Sequence, residues 1–216
     1  MLDFLGVGPP HPTARYLCAH GAGAGMATPF MAAIAAALAE RGIATLRFEF
    51  AYMAARRASG TKKPPPRAER LLEEYVAAVR AAPKDAPLFI GGKSMGGRVA
   101  SLIADRLWDE GLIAGLICLG YPFHPPKRPA ELRTAHLAGL RCPALIIQGE
   151  RDPFGSRAEV EGYALSRAIR LVWAADGDHD LGPRGASGHT RRGNLAAAAA
   201  AIAAFAEAER PTGETA

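Results

Sequence analysis

Short apolar runs and helix-period segments take turns along almost the whole chain, and this alternation constrains the fold more than any other feature. The strand-like runs are 16–19, 44–50, 88–91, 112–120, 144–149 and 169–173, and the helical patterns are 30–40, 67–81, 97–108 and 195–209. A strand followed by a helix that returns the chain to a neighbouring strand is a βαβ unit. The pattern therefore predicts a mainly parallel sheet with helices on both faces. Ligands of such sheets bind beyond the carboxyl ends of the strands. Every chemically suggestive residue of this chain lies just after a strand.

One such place is Gly91-Gly92-Lys93-Ser94-Met95-Gly96-Gly97, directly after the apolar run Leu88-Phe89-Ile90. It sets a serine in a Gly-x-Ser-x-Gly frame between a strand and a helix. A serine that attacks a carbonyl needs its hydroxyl pushed out on a sharp turn, where side chains two residues to either side would collide. Gly92 and Gly96 remove them. Among 24 glycines the frame alone is a weak signal. The flanks strengthen it, because Val99, Leu102, Ile103 and Leu107 continue at roughly helical spacing. A phosphate loop is excluded, since Gly-x-x-x-x-Gly-Lys-Ser needs glycine where Pro87 stands.

A serine hydroxyl is a poor nucleophile without a positioned base, and the base needs an orienting partner. Asp152 follows the run 144–149, with Glu150 as its substitute, and His179 follows the last strand, with His189 as the fallback. Asp176, Asp178 and Asp180 are read as shaping the loop around His179. The loop His20-Gly21-Ala22-Gly23-Ala24-Gly25-Met26 is small enough for backbone to approach a substrate. An N–H there, that of Ala22, is expected to act with that of Met95 as an oxyanion donor. Its glycines miss the dinucleotide spacing Gly-x-Gly-x-x-Gly, and His20 is read as a structural hydrogen-bonder. Two longer connections, 51–66 with Tyr52, Arg56, Arg57, Lys62 and Lys63, and 121–134 with Phe123 and His124, are candidates for substrate contact.

Together, His20-Gly21-Ala22-Gly23, Gly92-Lys93-Ser94-Met95-Gly96, Asp152 and His179 resemble the α/β-hydrolase superfamily, in a small lidless form similar to dienelactone hydrolases and small carboxylesterases. Residues 21–26, Phe50-Ala51-Tyr52-Met53 with Arg56-Arg57, and residues 120–126 also resemble a bacterial hydrolase group. That group is related to the hydrolase-like third subunit of the non-specific-lethal acetyltransferase complex. The resemblance implies an α/β-hydrolase fold without a cap domain, and an eight-stranded type of sheet shortened at its start, since few residues precede Ala14. It implies a serine hydrolase acting on an ester or thioester of a small molecule, or a binding protein that retains the fold without catalysis. Dienelactone hydrolases proper are associated with a cysteine nucleophile, and Ser94 sets this chain apart from them.

The 216 residues suit one domain over 1–216, with 211–216 expected as a disordered tail. The net charge of +5 is spread along the chain, which argues against a nucleic-acid partner. Cys18, Cys118 and Cys142 lie in or beside apolar runs without zinc spacing, as buried thiols of a reducing compartment do. The N-terminus lacks the pattern of a signal peptide, and the alanine-rich 195–205 is shorter than the roughly 20 residues a bilayer requires. A cytoplasmic protein needing neither metal nor organic cofactor, and with no membrane partner, is expected. Its oligomeric state is not legible.

Overall fold

A computed structural model of the chain describes residues 3–60 and 64–210. Lys62, Lys63 and the tail expected at 211–216 lie outside the described residues. The strands are β1 (Leu5–Val7), β2 (Ala14–Ala19), β3 (Ile43–Phe48), β4 (Leu88–Lys93), β5 (Gly115–Leu119), β6 (Ala144–Gly149) and β7 (Ile169–Ala174). They form one sheet in the order β1-β3-β2-β4-β5-β6-β7. Every pairing is parallel except that of β1 with β3. The register aligns the carboxyl ends at one rim, with Ala19 opposite both Phe48 and Gly92, and Lys93 opposite Leu119.

Successive strand residues point to opposite faces, and here both faces are apolar because both are covered. On one face Tyr16, Cys18, Phe89, Ile117, Leu145 and Ile147 pack against α1 (Pro29–Ala39) and α7 (Arg191–Ala208). On the other, Leu17, Leu46, Ile90, Leu116 and Ile146 pack against α3 (Leu72–Ala81), α4 (Met95–Ser101) and α5 (Ala104–Asp109). Two further helices, α2 (Ala51–Ser59) and α6 (Arg157–Val160), follow β3 and β6. Thr28 caps α1, its side chain accepting the Met31 N–H, with Pro29 in the first turn where no N–H is needed. The three thiols are buried, and burial pushes Cys18 up to about 12.

Three elements depart from the sequence reading. Residues 51–59, expected as loop, are helix α2: Ala51, Ala54, Ala55 and Ala58 are strong helix formers, Met53 is buried against the core, and Gly60 closes the helix at φ 70°. The single helix expected over 97–108 is two. The Ser101 hydroxyl donates to the Arg98 carbonyl at 2.8 Å, competing with the helical bond from Leu102 N–H, which is lengthened to 3.3 Å. Finally, the residues before Ala14 do form a strand, β1, so the sheet has seven strands among the described residues.

Candidate active site

Ser94 occupies the single residue between β4 and α4. Its backbone stands at φ 52°, a region where a non-glycine residue costs on the order of 1–3 kcal/mol and persists only when the surroundings enforce it. The surroundings do. Ser94 N–H donates to the Leu119 carbonyl at 2.9 Å, and α4 is pressed so closely on β2 that a Cβ at Gly96 would meet the His20 carbonyl oxygen at 2.7 Å. Beneath the turn, the Tyr75 hydroxyl accepts from Gly91 N–H at 2.8 Å and also lies 2.8 Å from the Leu17 carbonyl oxygen, bridging β2 and β4.

The rim then brings together three side chains from distant parts of the chain. His179 Nε2 lies 2.9 Å from Ser94 Oγ, and His179 Nδ1 lies 2.8 Å from Asp152 Oδ2. Asp152 is fully buried. A carboxylate can only accept, so Nδ1 carries the proton and Nε2 is left to accept from the serine hydroxyl. Asp152 is itself held, its Oδ2 accepting from Gln148 Nε2 at 2.9 Å and its Oδ1 from Phe154 N–H at 2.8 Å. Gln148 cannot turn over, because its Oε1 accepts Tyr121 N–H at 2.7 Å. The Phe154 ring lies against the imidazole, with centroids 4.3 Å apart.

His179 is delivered by a tight loop after β7. Gly149 admits it: a Cβ there would meet the Gly177 carbonyl oxygen at 2.5 Å. Asp178 accepts the N–H groups of Asp180 and Gly182, and Asp176 binds Arg151 and Arg184, which holds its carboxyl well below the usual range. Asp180 pairs with Lys93 at 3.2 Å, over the Phe30 ring. Burial lowers the Lys93 ammonium's pKa, and Asp180 opposes that shift.

Met95 is the first residue of α4, so its N–H has no acceptor within the helix. Neither it nor the Ala22 N–H is engaged by an acceptor among the described residues. Two clefts meet at Ser94, and Ala22 and Phe154 line both. One, of about 420 Å³, is flanked by His179, Lys93 and Phe30, and the other, of about 500 Å³, by Met95, Arg98 and Arg133.

Other candidate residues lie elsewhere. Tyr52 donates to the Ala22 carbonyl at 3.2 Å and so braces the loop from behind rather than lining either cleft. Arg56 and Arg57 sit on helix α2 and line a hollow with Met53 on the far side of Gly23, Ala24 and Gly25 from the His179 cleft, without bordering Ser94, and Arg57 pairs with Glu49. Phe123 is core, and His124 is buried beside Glu159, because this part of the connection after β5 packs against α6, while Pro122 and Arg133 of the same connection line the cleft at Ser94. Glu150 is taken up by Asp176 N–H and Arg157, and His189 faces a hollow near Val172 and Asn194. Of the residues sequence reasoning missed, Gln148 left a signal, being the one polar residue in an otherwise apolar buried run; Phe154, Arg98 and Arg133 left none.

A serine on a strand-to-helix turn, joined through an imidazole to a buried carboxylate at the carboxyl rim of a mainly parallel sheet, defines an α/β-hydrolase. The chain belongs to that family: residues 12–207 match the family described as alpha/beta hydrolase domain. Solved structures with the same fold include the esterase domain of a Rhodothermus marinus protein (TM-score 0.65, 19% identity, 96% of this chain and 92% of that one covered). A dienelactone hydrolase from Anabaena variabilis gives 0.66 at 22% identity, covering 93% and 88%. A lidless serine hydrolase from Xanthomonas campestris gives 0.65 at 18%, covering 98% and 91%. No helix among the described residues is long and apolar enough to cross a membrane.

Proposed function

We propose that this α/β-hydrolase cleaves an ester or thioester of a small molecule through an acyl-enzyme on Ser94. His179 takes the serine proton as Ser94 Oγ attacks the carbonyl and returns it to the departing alcohol or thiol, while Asp152 holds the tautomer and stabilises the imidazolium. Water, activated by the same imidazole, then releases the acid. The Met95 and Ala22 N–H groups would receive the oxyanion, and losing one such donor typically costs about 3 kcal/mol of transition-state stabilisation. The chemistry requires no metal or organic cofactor.

The observation that carries this reading is the unbroken hydrogen-bond chain from Ser94 through His179 to a fully buried Asp152. A buried carboxylate is costly unless it is partnered, and here the partner points at a half-buried serine at the rim, held in strained backbone. Ser94→Ala is expected to abolish both p-nitrophenyl acetate hydrolysis and labelling by a fluorophosphonate probe. Labelling that persists in the variant would remove Ser94 from the role, and wild-type protein that neither labels nor turns over would leave a binding protein on a hydrolase fold.

A further inference from the structure

Both clefts that meet at Ser94 are lined by more cations than carboxylates, Lys93 and Arg191 against Asp180 in one and three arginines against Glu69 in the other, and the second bears on the substrate's acid half. We infer that the acyl group of the substrate carries a carboxylate, held by Arg133 and Arg98. This inference rests on the serine-hydrolase reading above.

The leaving oxygen must reach His179 Nε2 to collect its proton. The alcohol side therefore occupies the cleft that His179 lines, and the acyl chain the cleft lined by Met95, which His179 does not border. The walls of that second cleft carry Arg67, Arg98 and Arg133 against a single carboxylate, Glu69. Glu69 is committed to Arg98, at 2.7 Å. Arg133 and Arg67 have no ion pair or side-chain hydrogen bond among the described residues, and Arg98 Nε is buried without a hydrogen-bond partner. The half-buried Arg133 guanidinium lies near that of Arg98, whose charge Glu69 already offsets; no carboxylate among the described residues pairs with Arg133 itself, so an anion beside it is favoured. Desolvation and the neighbouring Arg98 both lower the pKa of Arg133. The guanidinium fork matches a carboxylate in two parallel hydrogen bonds.

Position also fits. Arg98 lies four residues beyond Ser94, about 6 Å along the helix axis. Ser94, Arg98 and Arg133 line one cleft, which suits a short dicarboxylic acid esterified at one end.

Monomethyl glutarate and its neutral counterpart dimethyl glutarate provide the test. The wild-type protein is expected to show kcat/KM at least about tenfold higher for the monoester, a difference of about 1.4 kcal/mol. In R133Q the ratio should collapse towards one, and in R133K it should be partly kept. Arg133 engages the fold through its backbone, its N–H donating to the Phe123 carbonyl and its carbonyl accepting from Tyr121, so the variant retains those anchors. The double variant R56A/R57A, altered in a hollow that shares no residue with the Arg133 cleft, should keep the full preference. A second readout is independent of turnover: glutarate binding to S94A protein by calorimetry, weakened at least tenfold by adding R133Q. Absence of preference in the wild type, a preference unchanged in R133Q, or glutarate that fails to bind S94A would each overturn the inference. Inertness towards p-nitrophenyl acetate and both esters, with glutarate still bound through Arg133, would instead overturn the hydrolase reading alone.

Discussion

Single residues at this site act through what holds them. Asp152 orients His179 only because its other contacts, from Gln148 and the Phe154 N–H, stop it rotating. Gln148→Leu keeps the approximate volume but strands the Tyr121 N–H and removes one donor to a buried carboxylate. A hydrogen bond to a charged group contributes about 1.5–3 kcal/mol, so a stability loss of that order is expected in chemical denaturation. The imidazole would lose its alignment as well, and kcat for an ester substrate should fall on the order of 10²-fold with KM little changed. An unaltered kcat would show that Asp152 needs no such support. Gln148 was open to discovery as a polar residue in a buried run. Phe154 was not, since nothing in Asp152-Pro153-Phe154 says that the ring will turn back onto an imidazole encoded 25 positions later.

Among the elements, the β4–α4 turn works because α4 lies almost in contact with the backbone of β2. Gly96→Ala would drive a methyl group into the Ala19 and His20 carbonyls, and backbone cannot yield as a flexible side chain can. Overpacking of this kind typically costs about 1–3 kcal/mol. A lowered melting temperature with loss of fluorophosphonate labelling is the expected outcome, and a variant of wild-type stability would contradict the close approach. The parallel strands and most helices were legible, because a two-covered sheet writes itself as apolar runs separated by helix-period segments. Helix α2 was hidden by its neighbours: prolines and cations at 62–67 made the whole connection look irregular, although its first nine residues carry helix-forming alanines around Met53.

At the scale of the whole molecule, the loop carrying Ala22 is tied across the sheet by His20. Its Nδ1 donates to the Gly21 carbonyl at 2.7 Å, and its Nε2 accepts Phe50 N–H at 3.2 Å, so the geometry requires a neutral ring. Burial lowers its pKa below 6.5, against the opposing pull of the Gly21 carbonyl, Glu49 and Glu74, and burial also lowers that of His136. The unfolded chain binds protons that the folded imidazoles refuse. Stability is therefore fully present above pH 6.5 and declines as pH falls from there through the depressed native values, by up to about 1.4 kcal/mol per pH unit for each such histidine. Urea denaturation at pH 7.5 and pH 5 should show the loss, and H136Q should reduce it. A flat profile would mean that these rings are charged in the fold.

By itself the sequence determined the class of fold and the turn bearing Ser94, because each is written in local spacing: period-2 and period-3.6 apolar patterns, and glycines where no side chain fits. It set Asp152 or Glu150 and His179 or His189 after strands without choosing between them by spacing. Only the tertiary structure decided which neighbours complete the site. Tyr52, Arg56, Arg57, Phe123 and His124 turned out to brace, to face another hollow or to be buried, while Arg98 and Arg133, 35 residues apart in the chain, came to share a wall. Where a loop or helix face points depends on packing against distant segments, and such long-range contacts leave no periodic trace in the order of the residues.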